Sequence, residues 1–332
     1  MNMDHMDLIS TLKQKAEEFN SYWTKYFPDG EPAKLFEASW HLPSGGGKRL
    51  RPVLAMLTSE SIKGDYDSVM PFAAALELIH NFTLVHDDIM DKSTLRRNLQ
   101  TVHIKSGEPT AILAGDYLFA KAFEALYDLK VNDSLYKELN NALVRSVLDI
   151  WEGQQLDMEF EQRSIITESE YFNMIKKKTA VLFQISSRGG ALIANANPTI
   201  VQSLADYGLY LGLSFQIWDD YLDLSSDAET LGKDIGNDIR NGKKTLIAVN
   251  ALQNATGSQK ELLNQVFGNL QATDTDIHNV FNLFKDLNSI EYARTTAEQY
   301  NKKAKECLTH LNESSAKQIL MNLADFAIQR ET

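Results

Sequence analysis

Apolar positions recur along this chain with a helical period almost throughout, and strand-like alternation bounded by turn residues is scarce. Gly and Pro number only 17 and 7, so the breaks they mark are few. The pattern predicts helices that begin near Asp7, Leu50, Ser68, Ala111, Ser134, Glu168, Pro198 and Lys244. Breaks are predicted at 28–32, 41–47, 63–67, 92–109, 195–198 and 225–242. The stretch 68–91 carries apolar residues on nearly every face, including Ala73, Ala74, Ala75, Leu76, Leu78 and Ile79, and 200–224 behaves alike. Helices of this kind belong at the centre of a fold rather than on its surface. From about Thr273 onward the pattern is more polar, which predicts an outer layer. No linker or shift in composition divides the chain, so the expectation is one all-α domain over residues 1–332.

Both central helices end in the same acidic pattern. LVHDDIMD supplies Asp87, Asp88 and Asp91, and FQIWDDYLD supplies Asp219, Asp220 and Asp223, each as D-D-x-x-D. Residues four apart lie about 40° apart around a helix, so Asp87 shares a face with Asp91, and Asp219 with Asp223. Paired carboxylates at the end of a buried helix repel each other and are costly to desolvate, and a divalent cation resolves both problems. Hard oxygen ligands with no thiol nearby favour magnesium or manganese. His86, beside Asp87, reads as a packing or hydrogen-bonding residue before it reads as a transition-metal ligand.

The stretch SGGGKRLRP, residues 44–52, sets three glycines against Lys48, Arg49 and Arg51. It is not the nucleotide loop G-x-x-x-x-G-K-[ST], because Leu42 stands where the first glycine should be and Arg49 where Ser or Thr should follow the lysine. Unhindered backbone N–H groups beside basic side chains still suit an oxyanion. Further cations follow the acidic segments: Arg96 and Arg97 after the first, Lys178 in IKKKTA, and Lys233 and Lys243 around the second. Metal ions and cations together suit diphosphate, and nothing resembles an adenine or ribose site.

Composition narrows the classes. Lys and Arg total 33 against 45 Asp and Glu, a net charge of −12, which argues against a general nucleic-acid binder. Cys307 is the single cysteine, which excludes an internal disulfide framework and a cysteine zinc site and suits the cytoplasm. The start MNMDHMDLIS does not read as a signal peptide, and no transmembrane run is expected.

Taken in order, GGGKRLRP, DDIMD followed by RR, KTA, FQIWDDYLD and GKDIGNDIRNGKKT resemble the motifs of trans-isoprenyl diphosphate synthases, the head-to-tail prenyltransferases also called polyprenyl synthetases. The resemblance spans about residues 45–245. It implies a bundle of mostly antiparallel helices around a central cavity. It further implies that Asp87, Asp91 and Asp219 hold a cluster of magnesium ions on an allylic diphosphate, with Asp88, Asp220 and Asp223 in support. Arg96, Lys178, Lys233 and Lys243 would contact that diphosphate. Lys48, Arg51, Arg97 and His80 would hold isopentenyl diphosphate; His80, seven residues before Asp87, falls within about 20° of it on the helix. Thr179 and Gln216 match positions lining the reacting allylic carbon, and Gln154 and Asp157 match the family's G-Q-x-x-D segment. The family usually writes R-R-G where this chain has Arg96, Arg97 and Asn98; asparagine tolerates left-handed backbone, so the turn is expected to survive. A homodimer is expected on the resemblance alone.

The implied reaction breaks an allylic C–O bond, attaches the double bond of isopentenyl diphosphate to the resulting cation, and loses a proton, with released diphosphate as the base. Placed charges stabilise the leaving group, and an apolar cavity keeps water from the cation. Phe82, five residues before Asp87, resembles the aromatic that limits chain length in short-chain enzymes, which favours a twenty-carbon geranylgeranyl product over fifteen-carbon or longer ones. On an ideal helix Phe82 lies about 7.5 Å below Asp87 but roughly 140° around, a placement that equally suits a core phenylalanine. A class I terpene cyclase would usually replace the second acidic segment, and a non-catalytic subunit of a two-component synthase would not need both, so the intact pair favours a catalytic synthase.

Overall fold

Helix ends follow their capping chemistry. Thr167 and Glu170 form a reciprocal capping box at one helix start, and Thr273 with Asp276 forms another. Gly64 and Asn195 end helices with positive φ of 81° and 58°. The structure is a computed structural model that describes residues 5–27, 30–225 and 234–329.

Helix α1 is His5–Trp23, α2 Ala33–Ser44, α3 Leu50–Lys63 and α4 Met70–Met90. A two-residue-stranded hairpin follows, β1 Leu95–Arg96 and β2 Leu99–Gln100, then α5 Val102–Ser106, α6 Glu108–Leu126 and α7 Asp133–Gln162. Next come α8 Glu168–Ile175, a π-helical turn Lys176–Ala180, α9 Val181–Ile193 and α10 Pro198–Ser225. The chain continues as α11 Asp234–Asn241, α12 Leu246–Asn254, α13 Gly257–Val266, α14 Asp274–Asp286, α15 Ser289–Cys307 and α16 Ser315–Ala327.

The all-α expectation holds, and the predicted helix starts at Leu50, Glu168 and Pro198 fall on observed first residues. Three short helices lie where the periodicity reading places breaks or none: α2, α5 and α11. Their apolar periods are too short to stand out, and flanking Gly and Pro dominate the local signal.

Contacts divide the chain into two compact units. The first is Met1–Val144, Ile185–Ala205 and His310–Asn322; the second is Arg145–Gln184, Asp206–Thr309 and Leu323–Thr332. In the first, α4 packs along α6 and α3, and Phe72, Ala73, Ala74, Ala75, Leu76, Leu78 and Ile79 are fully buried. Each such large aliphatic or aromatic side chain contributes about 1.5–3 kcal/mol. In the second, α12 packs against α15 and α8 around Tyr171, Ile217, Leu246, Ile247, Phe284 and Ala297.

Asp67–Met90, whose most apolar 18-residue window has a mean hydropathy of 1.3, is long and apolar enough to cross a membrane by length and composition alone. The chain itself covers 78% of its apolar window, as befits a core helix, because small alanines let α4 sit against its neighbours on several faces at once.

Candidate functional site

Each D-D-x-x-D segment lies in the last two turns of its helix as described, and at the end of α4 unsatisfied carbonyls and the helix dipole already concentrate negative charge. In the first unit Asp87 and Asp88 occupy the last turn of α4, and Asp91 caps it through its N–H to Asp87 O at 2.8 Å. In the second unit Asp219, Asp220 and Asp223 close α10. The two triplets share one burial order. The first carboxylate is half-buried, the second is buried, at 1% exposure for Asp88 and 4% for Asp220, and the third is exposed.

Each buried carboxylate is fixed inside its own unit. Arg96 Nε donates to Asp88 Oδ1 at 2.8 Å, while Asp88 Oδ2 is buried without a hydrogen-bond partner. Burial pushes the Asp88 carboxyl up, against the pull of Arg96. Asp220 accepts from Tyr171 Oη at 2.8 Å and from Gln216 Nε2 at 3.1 Å. Burial raises it to about 7, although Lys243, Tyr171 and Gln216 act in the opposite direction.

Among the described residues no three His, Cys, Asp or Glu side chains converge into a ready-made metal cage. Magnesium fits this donor set, because it holds one or two carboxylates and completes its shell with water and phosphate oxygens. Asp87 and Asp91 on one helix face, and Asp219 on another, are the carboxylates that would hold it, with Asp223 beside Asp219 in support. His86 behaves as a packing residue: Nε2 lies 3.2 Å from Ile112 O, and its ring meets Phe82 edge-on at 5.2 Å.

The basic loop of the first unit is built on unusual backbone. Gly46, Gly47 and Arg49 have φ of 83°, 135° and 48°, and α3 starts at the next residue. Arg51 Nη1 lies 3.1 Å from His80 Nε2. A guanidinium can only donate, so Nε2 accepts and the imidazole proton sits on Nδ1. Burial, then the charges of Arg51, Arg97, Arg96 and Arg49, hold His80 well below the usual histidine range, which keeps it neutral. Arg97 donates to Gly46 O, and its guanidinium carbon lies 2.8 Å from where a Cβ on Gly47 would stand. The φ of 135° favours glycine at this position, and a larger residue would also have to displace the Arg97 guanidinium. Arg97 and Asn98 both have positive φ, 53° and 63°, between the paired strands β1 and β2, which is the signature of a type I′ turn. The turn expected from Asn98 is present, and it requires the left-handed conformation of Arg97 as well.

In the second unit, the KKKTA segment is the π-helical turn itself, an insertion often found at functional sites. Gly153 of α7 lets the Lys178 backbone approach. Lys178 Nζ pairs with Asp157 at 2.5 Å, and Thr179 Oγ1 donates to Gln216 Oε1 at 2.8 Å. Thr179, Gln216, Asp220 and Tyr171 thus form one hydrogen-bonded chain. It borders a cavity of about 70 Å³ lined also by Asp157, Lys178, Lys243, Lys244 and Thr245. Burial alone would lower Lys243, but Asp238, Asp220, Asp157 and Asp223 hold it above the usual lysine value. Gln154 is buried at 7% exposure, and its Oε1 has no hydrogen-bond partner. Lys233 lies outside the described residues. Tyr171, Lys244 and Glu77 escaped the sequence reading, and Arg49 reads there only as one more cation of the basic loop: a tyrosine 49 positions from Asp220 carries no local signal, and nothing local marks Arg49 as buried on Glu77.

Residues 32–284 match the polyprenyl synthetase family. The geranylgeranyl diphosphate synthase of Saccharolobus solfataricus is 47% identical over 301 residues, covering 89% of this chain and 90% of that protein. The crystal structure of geranylgeranyl pyrophosphate synthetase from Pyrococcus horikoshii superposes with a TM-score of 0.93 at 39% identity, over 98% of this chain and 99% of that one. A polyprenyl synthase from Caulobacter crescentus, crystallised with calcium and isoprenyl diphosphate, gives 0.88 at 31% identity over 100% and 99% of the two chains. With both acidic segments, the basic loop and the KKKTA turn in place, the chain belongs to the polyprenyl synthetase family.

Proposed function

We propose that this chain is a magnesium-dependent prenyltransferase that condenses isopentenyl diphosphate head-to-tail with an allylic diphosphate and yields geranylgeranyl diphosphate. The observation that carries the reading is the repeated acidic triplet, with the same burial order at the C-termini of α4 and α10. Family resemblance assigns both triplets, and both units, to a single catalytic domain. The geometry within each unit supports its own half of that assignment.

Bound magnesium would neutralise charge on the departing diphosphate. Asp87, Asp91 and Asp219 are proposed to hold it, with Asp223 in support. Arg96 and Tyr171 fix the buried Asp88 and Asp220 through the bonds at 2.8 Å, so each neighbouring carboxylate is held on a rigid helix end. Arg96, Lys178, Lys233 and Lys243 would add positive charge at the leaving group, and Lys243 stays protonated in the field of its acidic neighbours. Thr179 and Gln216, bonded to each other, would orient the allylic carbon. Lys48, Arg51, Arg97 and the neutral His80 would receive isopentenyl diphosphate, with manganese able to replace magnesium at the acidic sites.

Two relatives named for the geranylgeranyl product support a twenty-carbon chain. Phe82 supports it as well: it is 3% exposed and meets Phe119 with ring centres 5.4 Å apart and planes tilted by 57°, a ring pair suited to close an apolar tunnel. A homodimer is supported by exposed apolar residues at helical spacing on α7, Val144, Leu148 and Trp151, at 37%, 39% and 46% exposure.

The test incubates purified protein with magnesium, isopentenyl diphosphate and a five-, ten- or fifteen-carbon allylic primer, and reads products by mass spectrometry. A twenty-carbon diphosphate that disappears with a chelator and returns with magnesium is expected. Absence of elongation from every primer overturns the reading.

A further inference from the structure

Arg49 lies between Lys48 and Arg51 in sequence, yet it is used differently. Its side chain is 2% exposed. Nη1 donates to Glu77 Oε1 of α4 at 2.7 Å, Nη2 to Pro43 O of α2 at 2.7 Å, and Nε to Asn20 Oδ1 of α1 at 3.0 Å. The guanidinium also stacks 4.6 Å from the ring centre of Trp23. Glu77, equally buried, is held in turn by Asn81 Nδ2 at 3.1 Å.

A buried ion pair of this kind is a poor way to gain stability, since desolvation offsets most of the attraction. The backbone at the same residue is also strained. Arg49 has φ 48° and ψ 34°, a left-handed conformation that costs a non-glycine residue about 1–3 kcal/mol. Two positive-φ glycines precede it, so the loop has no local preference for one shape. Its form must be imposed by the fold.

We propose that Arg49 and Glu77 are a positioning pair that locks the basic loop in the conformation needed to receive the diphosphate of isopentenyl diphosphate. The pair rests on the assignment of Lys48, Arg51 and His80 to that substrate. Helix α4 grips the loop at two points one turn apart: Glu77 holds Arg49, and His80, three residues on, holds Arg51. Arg49 contributes geometry rather than direct contact, because its guanidinium nitrogens are committed to Glu77, Pro43 and Asn20. The strained residue therefore sits between two phosphate-binding cations, and losing its anchor frees both of them.

The test compares the wild-type chain with an Arg49→Met/Glu77→Met double variant and with Asn20→Ala. Calorimetric titration reads the affinity for isopentenyl diphosphate, which does not react alone, and the elongation assay reads KM for each substrate. Replacing both charges by apolar groups leaves no buried unpaired ion, so the double variant is expected to fold. Its affinity for isopentenyl diphosphate should fall by about tenfold or more, with KM for the allylic primer changed by less than about threefold. Asn20→Ala, which keeps the ion pair, should weaken the same substrate by about two- to threefold.

Unchanged isopentenyl diphosphate affinity in a folded double variant overturns the proposal, and so do equal losses for both substrates. If the double variant does not fold, the Asn20→Ala result decides by the same two criteria. A wild-type chain that elongates primers while the variants show no selective loss defeats the positioning pair alone. A wild-type chain that neither binds isopentenyl diphosphate nor elongates defeats the functional reading with it.

Discussion

Gly153 of α7 packs so closely on the Lys178 backbone that a Cβ there would overlap the Lys178 nitrogen. This contact seats the π-helical turn Lys176–Ala180 against α7, and the same turn carries Lys178 and Thr179. Gly153→Ala is therefore expected to force the two backbones apart, costing roughly 1–3 kcal/mol of stability. Elongation should slow by more than the stability loss accounts for, because the Lys178–Asp157 and Thr179–Gln216 pairs move with the turn. Denaturant unfolding alongside kcat at a temperature where the variant is fully folded checks both parts. Wild-type kcat in a folded variant would show that the turn has no catalytic bearing.

Asp91 is exposed and caps the C-terminus of α4, where its charge opposes the helix dipole. In chelator-treated protein, Asp91→Asn is expected to leave stability unchanged or raise it by about 0.3–1 kcal/mol. With magnesium, the same variant should lose about a hundredfold or more in elongation. Opposite signs for stability and activity mark a carboxylate kept for metal, and a parallel loss of both would argue for a purely structural aspartate.

Lys244 is 3% exposed, donates to Gly242 O at 2.8 Å, and lies 4.9 Å from the Phe267 ring centre. Burial lowers it to about 8, against the pull of Glu161. Its folded-state pKa is thus below its unfolded value near 10.5, so the unfolded chain binds more protons between pH 8 and 10.5. Stability contributed by this group is present above 10.5 and is lost as the pH falls through 8. Lys244→Met should relieve a penalty on the order of 1–3 kcal/mol at pH 7, less the lost hydrogen bond. Urea unfolding from pH 7 to 10.5 should show a gap between variant and wild type that narrows as pH rises. A constant gap would overturn the assignment.

Phe82 meets Phe119 at a tilted angle, and Phe119 in turn meets Phe123 edge-on at 5.1 Å. Truncating the first ring in this series opens a cavity, and if the series closes the tail tunnel the product lengthens. Phe82→Ala is expected to shift products beyond twenty carbons while costing about 3–5 kcal/mol of stability. An unchanged chain length in a folded variant would return Phe82 to an ordinary core role.

Much of this protein is determined locally. The unbroken apolar faces of α4 and α10, the D-D-x-x-D spacing that aligns carboxylates on a helix, and the turn chemistry of Asn98 each depend on neighbours within a few residues. They can be read without a fold. The short helices α2, α5 and α11 could not, since helices of a few turns or fewer gain stability from tertiary packing rather than from their own sequence. The same distinction runs through the candidate site. That Lys48 and Arg51 form a basic loop is visible in the chain, but that the intervening Arg49 is buried on Glu77, 28 residues away, follows only from the packing of α1, α2 and α4. Tyr171 reaches Asp220 across 49 residues, and Gly153 makes room for Lys178 across a helix interface. Sequence determined which groups carry the chemistry, because residue type and helical period are local properties. Tertiary structure decided which are buried, paired or held neutral, because desolvation and charge depend on neighbours that the chain brings together only by folding.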